Sequence, residues 1–242
     1  MIRSFTSIII LTAAGWGANV CPTPEKDGEI VTHSELSYIN TKGNTDTTSL
    51  AFEGNAKTTL EKHVFRAHAD AYRSTNSGSV SKNKWSSELN YDYQWDEVYS
   101  LNYMIGYKQD SFSGFDYQAY TGPGVGAKVI DCSEHNLDLQ ANLLYAQDKP
   151  SELPSESYFS SKIGGIYKWQ IQETLKLIQE ATYRVNLEET RNYFFYSKTG
   201  IENKINSSLS MGVSYKIDYV NTPPPPSVST DRTFLVSLII DY

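Results

Sequence analysis

Residues 83–109 read NKWSSELNYDYQWDEVYSLNYMIGYKQ. Trp85, Leu89, Tyr91, Tyr93 and Trp95 fall on one parity, and Lys84, Ser86, Glu88, Asn90, Asp92 and Gln94 on the other. That is the two-residue period of a β-strand with one apolar and one polar face. Asp96-Glu97 interrupts it, after which Tyr99, Leu101, Tyr103, Ile105 and Tyr107 alternate with Ser100, Asn102, Met104, Gly106 and Lys108. Two such runs joined by a short polar break make an antiparallel hairpin. The same template predicts strands over 31–42, 47–58, 62–73, 83–95, 98–109, 116–130, 135–147, 157–169, 173–187, 192–203, 205–219 and 230–242, with almost no helical period anywhere. The expected fold is all-β, a transmembrane antiparallel up-and-down β-barrel of about 12 strands.

The connections support that reading. Even-numbered ones are tight (59–61, 96–97, 131–134, 170–172 and 204), whereas several odd-numbered ones are long (74–82, 110–115, 148–156, and 220–229 with Pro223 to Pro226). The odd connections at 43–46 and 188–191 are short exceptions. Outer-membrane barrels join their strands by short periplasmic turns and longer outer loops, and an even strand count leaves both termini on the periplasmic side. Periodicity alone does not say which face points inward. A soluble lipocalin-like barrel would bury the apolar parity, but it has only about eight strands. Strand-end aromatics such as Trp85, Trp95, Tyr99, Tyr107, Trp169 and Tyr219 suit the two interfacial girdles of a membrane barrel.

Composition narrows the alternatives. Aromatics make up 13% of the 242 residues, including 18 Tyr, so the chain is not of the disordered class. The 21 Lys+Arg against 28 Asp+Glu give a net charge of −7, which argues against a nucleic-acid partner. After the N-terminus there is no apolar run of about 20 residues, so a bundle of membrane helices is excluded.

The chain begins MIRSFTSIIILTAAGWGA, with a basic Arg3, an apolar run from Phe5 to Ala14 and small residues after it. This is the pattern of a secretory signal peptide over 1–20, cleaved between Gly15 and Val20. A periplasmic leader over 21–30 and a barrel over 31–242 follow, and the expected location is the outer membrane. Cys21 is preceded by Ala18-Asn19-Val20 rather than a leucine-led lipidation pattern. Cys21 and Cys132 are the two cysteines, and in an oxidising periplasm they are candidates for one disulfide.

If the polar parity faces the lumen, it carries Arg66, Lys84, Lys108, Lys162, Lys176, Arg184, Lys198 and Lys216 together with Glu53, Asp70, Glu88, Asp92, Asp138, Glu180, Glu202 and Asp218. The signs balance, which fits either a weakly selective channel for small solutes or an ion-paired, sealed structural barrel. A lipid-acting enzyme needs a histidine on the lipid-facing parity beside a serine. His33 and His68 share the charged parity, and His63 and His135 lie beside periplasmic turns, so no catalytic residue is expected. No metal-ligand spacing and no cofactor signature occur. Gly122, Gly124 and Gly126 lack the strand-turn-helix context of a phosphate loop, and are read as making room for long side chains opposite or allowing strand curvature. The chain closes Phe234-x-Val236-x-Leu238-x-Ile240-x-Tyr242, resembling the terminal strand signal of outer-membrane barrels.

Taken together, Gly43-Asn44-Thr45-Asp46-Thr47, Lys84-Trp85, Tyr120-Thr121-Gly122-Pro123-Gly124-Val125-Gly126, Asn221-Thr222-Pro223-Pro224, Thr230-Asp231 and the 235–242 strand resemble the bacterial domain-of-unknown-function family 481 over roughly residues 30–242. Its members are often called salt-induced outer membrane proteins. The resemblance implies an outer-membrane barrel and carries no catalytic set. The partners it leaves to expect are outer-membrane lipids, the barrel-assembly machinery and, if the bore is open, small solutes.

Overall fold

The computed structural model describes residues 19–20, 27–42, 46–110, 112–225 and 227–242. Twelve antiparallel strands form one closed sheet: β1 (Ile30–Thr41), β2 (Thr47–Leu60), β3 (His63–Asn76), β4 (Ser79–Gln94), β5 (Tyr99–Asp110), β6 (Phe115–Asp131), β7 (His135–Pro150), β8 (Glu156–Gln170), β9 (Leu175–Asn186), β10 (Tyr193–Lys204), β11 (Leu209–Val220) and β12 (Thr230–Asp241). Each strand pairs with its neighbours in chain order, and β12 returns to β1 through Asp241↔His33 to Ser237↔Ser37. Among the described residues there is no helix. Both ends of the barrel chain, Ile30 and Asp241, lie at one rim, here the near end.

Side-chain exposure fixes the sign that periodicity left open. The apolar parity faces outward: Leu36, Leu89, Ile105, Val125, Leu143, Ile163 and Phe234 are each about half exposed. Inside, Glu53, Asp92, Arg184, Lys198 and Glu202 are buried. A continuous exposed apolar wall around a charged interior is the inverse of a soluble protein, and its stable surroundings are hydrocarbon. Rings group near both edges of the wall. At the near end His63 stacks on Tyr91 and His135 on Tyr167 and Trp169. At the far end Trp85 meets Tyr107, Tyr107 meets Tyr117, and Tyr193 lies between Tyr183 and Tyr219.

Near-end connections are uniformly tight and use side-chain acceptors. Asp96 Oδ1 accepts from the backbone N–H groups of Val98 and Tyr99, and Asn206 Oδ1 accepts from Ser208 and Leu209. Such Asx turns replace the ladder bonds lost where strands reverse. The two N–H donors hold the Asp96 carboxyl below its usual range, so this turn is intact at neutral pH and weakens only when acid protonates it. Asn206→Ala should lower barrel stability by about 1 kcal/mol, measurable as a shift of the urea unfolding midpoint in micelles.

Several strand boundaries differ from expectation. The long loop expected at 74–82 is a two-residue hairpin turn, because Ser77 (φ 49°) and Gly78 (φ 83°) both take the left-handed conformation such a turn demands. Strands β3 and β4 therefore run on to Asn76 and from Ser79. Likewise β11 starts at Leu209 rather than 205, since 205–208 form the Asn206 turn. The glycine series in β6 does leave room: Cβ atoms at Gly124 and Gly126 would collide with the side chains of Asn102 and Asn142, or of Ser100.

Candidate functional site: the charged lumen

Inward-facing charges on distant strands meet inside the barrel. At mid-height Lys198 of β10 donates to Glu35 of β1 at 2.6 Å and to Glu53 of β2 at 2.9 Å, and Lys216 of β11 reaches Glu53 at 2.5 Å. Towards the far end Asp218 of β11 receives Lys84 of β4 at 2.7 Å and Lys108 of β5 at 3.5 Å, bridging strands five and six positions apart in a ring of twelve. Lys162 of β8 reaches Glu88 of β4 at 2.5 Å, and the Tyr120 hydroxyl donates to the same carboxylate at 2.6 Å. A Cβ at Gly106 would occupy the place of the Tyr120 ring, so that ring depends on the absence of a side chain on β5. At the near end Arg66 pairs with Asp92 at 3.1 Å and Lys176 with Glu202 at 2.7 Å. Asp70 accepts from Ser86 and lies 3.5 Å from His68. Asp138 and Glu180 have no cation within ion-pair distance among the described residues.

Several inward groups were absent from the sequence-derived set. Glu35 has the parity of His33, and Asp148 lies where a loop was expected. Asp148 accepts from Gln118 at 2.9 Å and Tyr158 at 2.7 Å, with the Arg184 guanidinium 3.4 Å away. The same guanidinium lies over Phe194 and Tyr120, 4.4 and 5.3 Å from their ring centres. Phe115 of β6 meets Phe194 of β10 edge-on at 6.0 Å. Above them Pro224 and Ser227, on the connection from β11 to β12, reach across the mouth. Pro224 and Ser227 come so close to Gly114, on the connection six strands away, that a Cβ there would lie 2.9–3.0 Å from them.

The histidines have settled partners. His33 Nδ1 is 2.7 Å from Asp241, with Glu35 and Glu202 on its other nitrogen at 3.4 and 3.8 Å. These three residues offer ligand-type atoms within 4.8 Å of one another. Both carboxylates already hold a lysine, Lys198 and Lys176, so the trio closes an ion-pair cluster. His63 and His135 bond Tyr91 and Tyr167, and His68 bonds Asn55, each at 2.8 Å. None of these partners is a serine hydroxyl.

Twelve strands in simple up-and-down order, an apolar wall and a polar bore make this an outer-membrane-type barrel, and a family model for "Protein of unknown function, DUF481" matches residues 34–242. The chain belongs to the DUF481 family. No curated protein matches this DUF481 chain. Among solved structures it is similar to the COG4313 outer membrane channel from Pseudomonas putida F1, with TM-score 0.54 and 8% identity over 94% of this chain and 99% of that one. It is also similar to the NanC porin, with TM-score 0.49 and 8% identity over 88% and 98% of the two chains. At such identity the likeness is one of fold.

Cys21 lies outside the described residues. Residues 19–20 run parallel to Ile130–Asp131, next to Cys132. A Cys21–Cys132 disulfide remains the expectation. Non-reducing peptide mapping of protein from cells should recover the two cysteines in one linked fragment, and recovery of both as thiols would refute it.

Proposed function

We propose that this DUF481 protein is exported to the outer membrane, with its near end in the periplasm, and forms a narrow channel for small polar solutes. The observation that carries this is the make-up of the bore: opposed Lys, Arg, Asp and Glu side chains bonded across it, where a merely structural barrel could use apolar filling. Paired charges of both signs lower the cost of bringing an ion or a polar solute into a confined space and give little preference for either sign. The neighbouring fold named an outer membrane channel is consistent with this reading but does not identify a solute.

Purified, refolded protein in a planar bilayer should give small, weakly selective unitary currents. The 221–229 loop over the mouth favours a second reading, a sealed barrel, and this predicts no currents at all. The same preparation should show the gel-mobility difference between unheated and boiled samples typical of closed barrels. Phospholipid hydrolysis is not expected, and its appearance would replace the channel reading with an enzymatic one.

A further inference from the structure

Most strand interfaces in this barrel are zipped along nearly their whole length, but the one that closes it is not. Between β1 and β12 the ladder runs from His33↔Asp241 to Ser37↔Ser237 and ends there, with the Ser37 and Ser237 hydroxyls 2.8 Å apart on the last rung. Backbone bonds between Thr32 and Tyr242 finish its near end. In the same register Tyr38, Ile39, Asn40 and Thr41 would face Val236, Leu235, Phe234 and Thr233. All eight are in strand conformation, and each strand stays paired on its other side, β1 with β2 as far as Thr41 and β12 with β11 as far as Thr230. Among the described residues the seam carries no ladder over these four rungs.

The ion pairs supply a cause. Asp231, at the far end of β12, is held 2.6 Å from Lys82 of β4, four strands away around the ring. Its register partner on β11, Asp218, is held by Lys84 and Lys108 from the opposite wall. These contacts tie the far ends of β11 and β12 to β4 and β5 across the bore, with no such tie to β1. Unpaired backbone facing hydrocarbon is strongly disfavoured, and is tolerated where it is buried in protein or lines a wet cavity.

The rims have a definite chemistry. Tyr38, Phe234 and Val236 face outward and are exposed, as does Asn40, which donates to the Tyr38 and Thr48 hydroxyls; Ile39 and Thr41 and the buried Thr233 and Leu235 face inward. One turn of the pleat below lie Glu35, Glu53, Lys198 and Lys216. A seam without a backbone ladder, with mostly apolar rims between the membrane and a charged bore, suits one kind of molecule. We propose that the parted β1–β12 seam is a lateral portal through which a single-chain amphiphile, such as a fatty acid or lysophospholipid, passes between the outer leaflet and the lumen. Its polar head would occupy the bore and its acyl chain the slot between Ile39 and Leu235. The proposal uses the membrane placement above but does not depend on ion conduction.

The test is quenching of a bimane label by bromostearate in proteoliposomes. Single cysteines are placed in a Cys21→Ser, Cys132→Ser background, and each variant is checked for the heat-dependent gel shift. Phe234→Cys, on the outer face, should be quenched strongly; if it is not, the membrane placement fails and the proposal with it. Thr182→Cys, inward on β9 and paired on both sides with Tyr196 and Gly164, should be quenched little. Leu235→Cys, although inward, should be quenched several-fold more than Thr182→Cys, and unlabelled stearate or lysophosphatidylcholine should relieve that quenching by competition. Quenching at 235 no greater than at 182 would mean that the seam is zipped in the bilayer and would overturn the portal. Adding Lys82→Ala frees Asp231 and should reduce quenching at 235; no reduction would overturn the tether as the cause of the parting.

Discussion

Arg184→Glu should destabilise the barrel by at least about 3 kcal/mol, whereas Tyr183→Phe beside it should cost less than about 0.5 kcal/mol. The two side chains differ in which side of the wall they occupy. Tyr183 is outward and exposed, in ring contact with Tyr193 at 5.4 Å, and phenylalanine keeps that contact. Arg184 is inward and buried, with Asp148 as its counter-ion and two aromatic rings against its guanidinium face. Glutamate would lose the stacking and set a second carboxylate against Asp148, which already accepts from Gln118 and Tyr158 and, among the described residues, has no other cation within ion-pair distance. Removing one partner of a buried pair costs more than the pair itself contributes, because the remaining charge is left without compensation. Urea unfolding of both variants beside the parent, followed by tryptophan fluorescence in micelles, tests this directly. Equal midpoints would mean that β9 presents the opposite face to the bore.

Asp218→Asn should have the largest effect on conduction. Asp218 holds both Lys84 and Lys108 across the bore. Neutralising it while keeping its shape leaves two lysine ammonium groups facing the lumen without that partner. They should swing away from the centre, widening the passage, and should draw anions. Unitary conductance is expected to rise and the reversal potential in a salt gradient to move toward the anion limit by a few-fold change in permeability ratio, since wall charges act strongly in a narrow channel. The sign is opposite to that expected for Arg184→Glu, which adds negative charge and should move the potential toward cations. A conducting barrel whose selectivity and conductance ignore Asp218→Asn would place the solute path elsewhere.

Strand positions were largely legible in the sequence, because a two-residue period interrupted by polar breaks has few other meanings. The parity of 83–109 alone gave β4 and β5 nearly to the residue at their near ends. Boundaries failed where turn chemistry was unusual: at Ser77-Gly78, where serine takes a positive φ, and at Asn206, where the turn begins after an apolar Ile205. Which face each charge occupies could be read from parity, but its partner could not. Lys84 and Asp218 are 134 positions apart in the chain, and their meeting depends on the stagger of the strands around the ring. The inward aromatics Phe115, Tyr120, Tyr158 and Phe194 were also hidden, since the sequence offered aromatics as markers of the outer wall.

The mid-height ion pairs connect the first two strands with the tenth and eleventh, so they straddle the line where the sheet closes on itself. Until the two ends of the chain meet, Lys198 and Lys216 face the interior of an open sheet without their carboxylates, and Glu35 and Glu53 wait without their cations. Contacts of such sequence separation form slowly, because much of the chain must be ordered before they can. Closure is therefore an assembly step with an electrostatic latch: the short ladder brings the ends together, and neutralisation inside the ring makes the union hard to reverse. Refolding yield should accordingly fall at high ionic strength even where the finished barrel, with its latch shielded from solvent, tolerates the same salt.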